Sequence, residues 1–262
     1  MNKNKDFSKN EAKKLLLLAT LSGRIMLKNG AETYRVEDTI ERICKSRKGV
    51  KYVNAFSTPT GIFVSIEVGE EMLSYIMRIK STKIDLNKIN LVNEFSREFV
   101  NSDMSIDEGL KRLREIDKIK DYRPIINYFA GGLSCGFFSL LFQGRLREFL
   151  SSFLIGFIVV LIVNKLNKYK MTFFINNFIG ATVASLTAIL ISKIGISQNI
   201  NTMIIASIMP LVPGVAITNA MRDTISGDFV SGLSRAMEAI FSALAIAFGV
   251  GLVLNIYFRG IL

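Results

Sequence analysis

The chain has 262 residues, 50% of them apolar and 21% charged, with a mean hydropathy of +0.35. The two characters are segregated: residues 1–123 hold 24 of the 33 Lys and Arg and 18 of the 22 Asp and Glu. That excludes a single soluble domain and predicts a soluble domain over 1–122 followed by a membrane domain over 123–262. With no histidine, the usual zinc sites, imidazole acid–base chemistry and Ser-His-Asp hydrolysis are also excluded. Cys44 and Cys135 fall one in each half, so they read as buried thiols and not as a disulfide or a metal site.

The first apolar run is interrupted by Ser22, Gly23 and Arg24, and no small-residue cleavage site follows. It is neither a secretory signal nor a spanning helix, so the N-terminal domain is expected to stay in the cytoplasm. Leu15, Leu18, Ala19, Ile25 and Met26 predict a helix over 9–28, stopped at Asn29-Gly30. A second helix lies within 31–46, with Tyr34, Val36, Thr39, Ile40 and Ile43 on its inner stripe. β-Branched and aromatic runs predict three antiparallel strands, 51–57, 61–67 and 72–80. Helices over 86–101 and 105–117 close an α+β domain, two helices on each side of a small sheet; Ser105 and Glu108 suit a capping box.

Three features of this domain are candidates for function. Glu32, Arg35, Glu37 and Asp38 crowd the start of the second helix, where dipole complementation and local ion pairs are the simplest explanation. Thr58-Pro59-Thr60-Gly61 is a turn by composition. Arg78 falls within an apolar strand and requires a partner, which the acids of the second helix can supply.

Five spans are predicted in the second half, at about 125–142, 149–163, 171–192, 200–219 and 236–258. The fold class is therefore an α-helical polytopic membrane protein of five transmembrane helices with an N-terminal cytoplasmic α+β domain. Cations precede the first span and sit in the loops after the second (Lys165, Lys168, Lys170) and the fourth (Arg222, Arg235). Arg145, Arg147, Lys193 and Arg259 fall on the opposite side, which predicts the N-terminus in the cytoplasm and the C-terminus outside. The net charge of +11 is spread over both halves without a basic-aromatic stripe, so the partner it suggests is an anionic bilayer and not nucleic acid. An odd number of spans suits pairing of units of opposite orientation, and five alone make a thin path.

Glycines 131, 132, 136, 156, 180, 249 and 251 permit close helix crossings. The fourth span carries Pro210, Pro213 and Gly214, which remove two backbone donors and predict a break at membrane depth, or else a plain kink. Arg222, Asp223, Asp228, Arg235 and Glu238 gather after it, Arg235 and Glu238 being spaced to pair on one helical face. Without histidine, proton coupling falls to a carboxylate, Glu238 or Asp223. Asn176 and Asn177 in the third span offer neutral polar groups for an amino or carboxyl group, or a contact between helices.

The stretches NGAETYRVEDTIERI, FSTPTGIFVSIE and PLVPGVAITNAMRDTISGDFVSGLSRAMEAI resemble the bacterial threonine/serine exporter family, in its N-terminal half. The resemblance covers nearly the whole chain. It implies a cytoplasmic-membrane protein that exports small polar metabolites, threonine and serine in some members and dicarboxylates such as succinate in others. It also implies a second, smaller membrane subunit, and the chain's end after the fifth span suits that split form. Carried onto this sequence, it marks Glu32, Arg35, Thr58, Pro59, Thr60 and Gly61 in the soluble domain, to which Arg78 is added. In the membrane part it marks Pro210, Pro213, Gly214, Asp223, Gly227, Asp228, Gly232 and Arg235, and we add Asn219, Arg222 and Glu238. The expected roles are a break at Pro210–Gly214 that admits substrate, Arg222 or Arg235 on its carboxylate, and Asp223 or Glu238 on the coupling proton.

The reading is a non-enzymatic secondary transporter without cofactor or metal, since no glycine-rich nucleotide loop with its lysine is present. A homo-oligomer is a further expectation. The competing reading is a membrane-anchored metabolite sensor without transport.

Overall fold

The structure is a computed structural model that describes residues 8–120, 122–169 and 171–260. Lys170, one of the loop cations that orient the chain, lies outside the described residues. In chain order the elements are α1 (Lys9–Lys28), α2 (Thr33–Lys45), β1 (Val50–Thr58), β2 (Gly61–Val68), β3 (Glu71–Arg78), α3 (Leu86–Asn101) and α4 (Ile106–Lys118). Then follow α5 (Pro124–Leu141), α6 (Leu146–Lys168), α7 (Phe173–Lys193) and α8 (Ile200–Ile208). A 3-10 turn (Met209–Leu211), α9 (Gly214–Ile225) and α10 (Phe229–Phe258) complete them. Contacts sort these into two compact units. The first joins the described residues up to Lys120 with Val215–Ala236, so it includes most of α9 and the start of α10. The second holds the described residues from Tyr122 to Gly214 and from Met237 onward.

In the first unit α1 is the axis. Ser8 and Glu11 form a reciprocal capping box at its start, and its buried face carries Ala12, Leu15, Leu18, Ala19, Ile25 and Met26. Thr20 and Ser22 are buried among them with their hydroxyls satisfied, donating to the carbonyls of Leu16 and Ala19 at 2.7 and 2.6 Å. The sheet is an antiparallel meander, β1-β2-β3. Val53, Ala55, Ser57, Ile62, Val64 and Ile66 turn inward onto α1 and α2, and the alternate residues Tyr52, Phe56, Phe63 and Ile76 are exposed. The helices thus do not flank the sheet on both sides. α1 and α2 cover one face, while α3 and α4 pack against α1 and each other, and a Cβ on Gly109 would lie 2.6 Å from Leu18.

In the second unit small residues set the packing. A Cβ on Gly132 would stand 2.9 Å from the Phe153 carbonyl, and one on Gly249 would stand 2.6 Å from the Phe178 carbonyl. Gly136, Gly156 and Gly180 are equally crowded, by Phe149, Cys135 and Leu211, and Gly131 by Val160. Gly251 is the exception, with open space around it. Ile155, Val159, Ala181, Ala184, Ala188, Met203 and Ile246 form the core.

Among the described residues four helices are long and apolar enough to cross a membrane: α5, α6, α7 and α10. α8 with its 3-10 turn and α9 pass that test only as a pair, bent at the break between them. Two helices begin earlier than apolarity alone predicted. α6 starts at Leu146 because Glu148 accepts from the Arg145 N–H at 2.7 Å. α10 starts at Phe229 because Asp228 accepts from the Ser231 N–H at 3.0 Å.

Burial in the core of the first unit, together with the nearby Glu41 charge, pushes the Cys44 thiol up to about 12. It is expected to resist maleimide at neutral pH in the folded protein and to react once the chain is denatured, as a mass shift would report.

Candidate functional site

α1 ends on Asn29, whose side chain donates to the Ile25 carbonyl at 2.7 Å. Gly30, at φ +95°, then turns the chain into α2. The start of α2 is unusual: its N-cap, Glu32, makes no side-chain cap bond. The first N–H groups of a helix need partners from elsewhere when their own cap gives none. Here the Thr33 N–H donates to Asp223 Oδ1 at 3.0 Å, across 190 residues of sequence.

Asn219, Arg222 and Asp223 occupy positions i, i+3 and i+4 of α9, one face of the helix. All three engage the turn before α2. Asn219 donates to the Gly30 carbonyl at 2.9 Å, and Arg222 pairs with Glu32 Oε1. On α10, Arg235 donates to the Ala31 carbonyl at 2.8 Å and sets its Nε 3.0 Å from Asp223 Oδ2. That last contact is an ion pair off line for a hydrogen bond. Arg35 holds the other Glu32 oxygen at 3.1 Å. Glu32, Asp223 and Arg235 are all buried, whereas Arg222 is largely exposed.

The hairpin from α9 to α10 makes this arrangement. Gly227, at φ +91°, reverses the chain, and the Asp228 N–H donates to the Asp223 carbonyl at 2.9 Å. Gly232 meets α9 so closely that a Cβ would strike the Thr224 side chain and lie 3.1 Å from the Ala220 carbonyl. Buried around the cluster, Thr33 Oγ1, Asp228 Oδ2 and Ser231 Oγ have no hydrogen-bond partner among the described residues. Glu37 joins it through Ser57, whose N–H donates to Glu37 Oε1 at 2.7 Å and whose hydroxyl donates to the Thr33 carbonyl at 3.2 Å.

The two acids of α2 are tuned in opposite directions. Burial is the largest influence on Glu32 and opposes its charge. Its own backbone N–H, Arg222 and Arg35 together outweigh that burial and hold the carboxyl below the usual range. For Glu37 burial prevails over the bonds from Ser57, with the Asp228 and Glu41 charges adding to it, and the carboxyl is raised.

Not every predicted residue joins the cluster. Thr58 and Pro59 are half-buried and Thr60 exposed in the β1–β2 turn, where the two threonine hydroxyls lie 3.3 Å apart and the buried Gly61 opens β2. Arg78 is a correction: it is exposed at the last position of β3, opposite Gly61, with no ion pair among the described residues. The strand ends there, so the charge never needs a buried partner. Arg235 pairs with Asp223 and not with Glu238, which is exposed on α10. Asn176 is buried and donates to Asn167 Oδ1 at 2.6 Å, leaving its own oxygen unpartnered among the described residues, and Asn177 is half-buried beside it. At the helix break Pro210 is exposed in the 3-10 turn, Pro213 half-buried and Gly214 exposed. Among the described residues no group of three or more acids or cysteines is arranged to hold a metal.

Residues 17–257 match the ThrE family, described as threonine/serine exporter. The chain belongs to this family. Among curated members, the probable succinate transporter subunit YjjP of Klebsiella aerogenes is similar, at 23% identity over 97% of both chains. The probable threonine/serine exporter of Mycobacterium tuberculosis is 20% identical over 91% of this chain, which spans 45% of that longer protein. No solved structure matches the chain. The exporter family and the apolar helices make this a multi-pass membrane transport protein.

Two measurements on this exporter-family cluster follow. Asp223→Ala leaves Arg235 buried without its counter-charge and Thr33 without its cap, and is expected to destabilise by about 3–5 kcal/mol. Adding Arg235→Met should return about 1–3 kcal/mol of that, read as a double-mutant cycle of thermal unfolding. Second, Glu32 stabilises when ionised, a contribution lost as pH falls from 4.5 toward its own lower value. Glu37 has the opposite sign: its stability falls as pH rises from 4.5 toward its own higher value. Unfolding followed against pH should therefore lose part of its acid-side decline in Glu32→Gln and part of its decline above 4.5 in Glu37→Gln.

Proposed function

We propose that this chain is a membrane subunit of a secondary exporter of small polar solutes, threonine and serine or a dicarboxylate such as succinate. It works in the cytoplasmic membrane with a second, smaller membrane subunit. In this reading the spans number five, α8 and α9 together forming the broken fourth. The N-terminal domain lies in the cytoplasm and the C-terminus outside. The observation that carries the reading is the buried Asp223–Arg235 pair on the hairpin that follows the break.

A guanidinium already held by an internal carboxylate accepts an external one only when the internal charge is removed. Protonation of Asp223 releases Arg235, which then binds the carboxylate of the solute; loss of the proton restores the internal pair and expels the solute. The Asp223 carboxylate and the solute carboxylate thus compete for one guanidinium, so the solute binds when the proton binds and leaves when the proton leaves. The break at Pro210–Gly214 admits the solute, since irregular backbone at membrane depth lines cavities. Arg222, mostly exposed, is the first cation a carboxylate meets. Asn176 and Asn177 supply neutral hydrogen bonds, and the Thr58–Gly61 turn forms part of the soluble domain's functional face. Glu238, exposed and unpaired among the described residues, has no proton role in this scheme. Two relatives support the two-chain form: one is named a subunit and matches end to end, and the other is more than twice the matched length.

The test is efflux of preloaded threonine, serine and succinate from a strain lacking its own exporters for them. The chain is expressed with and without the small membrane protein encoded beside it. Efflux is expected only with both chains. Asp223→Asn should fall to the empty-vector level with insertion intact, Glu238→Gln should keep most of the rate, and Thr60→Ala should be mildly impaired. If no solute moves with either combination while the purified chain still binds a metabolite, export of these solutes is refuted and a metabolite-sensing role takes its place.

A further inference from the structure

The outer face of the sheet has an uneven chemistry along its strands. Phe56, Phe63 and Ile76 stand directly opposite one another across all three strands, on the face away from the core. They are 49%, 42% and 68% exposed, and the Phe56 and Phe63 rings lie 6.0 Å apart. Three apolar side chains in one open row are not a feature of a solvent-facing sheet.

The charges around that row differ from one end to the other in whether they are paired. Arg78 follows two residues after Ile76 on the same face, opposite Gly61, and Lys80 lies just beyond; both are exposed and without an ion pair among the described residues. At the other end of the sheet, around the β2–β3 turn, lie Glu67, Glu70 and Glu71, of which Glu67 pairs with Lys51 at 3.9 Å and Glu71 with Lys9 at 2.6 Å. Tyr52 and Met72 are exposed beside them on the same face. So both ends of the outer face expose apolar side chains, while the β1–β2 end adds two cations without an ion pair among the described residues.

The apolar end is also the end tied to α9. Ser57, next to Phe56, donates to the Thr33 carbonyl, and the Thr33 N–H is held by Asp223 of α9. The loop after Lys80 folds beside the same turn: the Lys83 and Asp85 N–H groups donate to the Lys28 and Asn29 carbonyls at 2.9 and 3.1 Å. It presents Ile84 and Leu86, 62% and 66% exposed. Five exposed apolar side chains and two unpaired cations therefore share the end of the first unit that carries α9.

We propose that this end of the sheet, Phe56, Phe63 and Ile76 with Ile84, Leu86, Arg78 and Lys80, docks on an anionic lipid surface. The apolar side chains enter the headgroup boundary, and the two cations meet lipid phosphates. Charge complementarity selects this occupant, because anionic headgroups attract two cations that no acid among the described residues neutralises, whereas the lysines at the other end are already paired. Arg78, exposed where β3 ends and without an ion pair among the described residues, acquires a role as a headgroup contact. The proposal rests on the chain being a membrane protein and is independent of which solute it moves.

The chain has no tryptophan, so a single introduced one reports its own surroundings. Phe63→Trp and Tyr52→Trp place an indole on the same face at the docking end and at the far end, in the purified full chain in nanodiscs. The discs combine bromine-labelled phosphatidylcholine with phosphatidylglycerol, and unchanged thermal midpoints verify the fold of each variant. Fluorescence of the Phe63→Trp variant is expected to be quenched strongly and that of the Tyr52→Trp variant little. Replacing both cations, Arg78→Ala with Lys80→Ala, should weaken the quenching at position 63 severalfold, as should omission of phosphatidylglycerol, since each cation near an anionic surface contributes about fivefold. Absence of quenching in Phe63→Trp overturns the proposal; a blue-shifted but unquenched indole there would then identify a second copy of the chain as the cover. Equal quenching at both positions overturns the assignment to one end.

Discussion

The first unit depends on a helix that does not cap itself. α2 begins with Glu32 at its N-cap, and that side chain is drawn to Arg222 and Arg35 instead of folding back on the helix. The vacant N–H of Thr33 is satisfied by Asp223. A carboxylate at a helix N-terminus is favoured by both the free donor and the helix dipole. Burying it requires a counter-charge, which Arg235 supplies while also taking the Ala31 carbonyl. One missing local cap thus recruits a hairpin from the far part of the sequence, and the segment Val215–Ala236 joins α1 to α4 and the sheet in a single compact unit.

The same arrangement is costly in a way that suits a switching element. A buried pair contributes little net stability, yet each partner is strongly destabilising when left alone. The hairpin geometry keeps both within reach: Gly227 reverses the chain, and Gly232 allows α10 to lie against the Ala220 carbonyl. Several polar groups nearby have no hydrogen-bond partner among the described residues, Thr33 Oγ1, Asp228 Oδ2 and Ser231 Oγ among them. Buried polar groups ordinarily find partners, and their concentration here marks a region not optimised for stability alone. Glu37, raised while Glu32 is lowered, places two acids of opposite behaviour about one and a half turns apart at the start of one helix.

The second unit follows another logic. Several of its hydroxyls bond within their own helices, as with Thr182, Ser185 and Thr187 donating to carbonyls four residues earlier on α7, whereas the buried Ser151, Ser152 and Ser207 hydroxyls have no partner among the described residues. Its helices approach through glycine and alanine instead of interlocking large side chains. The polar link between α6 and α7 is the Asn176–Asn167 bond, and Ser197 ties its loop to Glu148 of α6 at 2.6 Å. The fourth apolar segment breaks where Pro210 and Pro213 withdraw their N–H donors.

The sequence alone determined the elements. Periodicity and apolar length located α1 to α4, the three strands and the apolar helices, because each depends on spacing within one window. The prolines predicted the break for the same local reason. Helix starts set by caps, at Leu146 and Phe229, were harder to read, since charge there masks helical continuity. Glu32, Arg35, Asn219, Arg222, Asp223 and Arg235 were each legible as candidates, yet as two groups far apart in the chain, with 190 residues between Glu32 and Arg222. Only the tertiary structure decided that they form one cluster, that Arg235 chooses Asp223 over the nearer Glu238, and that Arg78 ends a strand in the open. Pairing across such a distance depends on which helix faces meet once a core has formed, and that packing decision has no signature in local sequence.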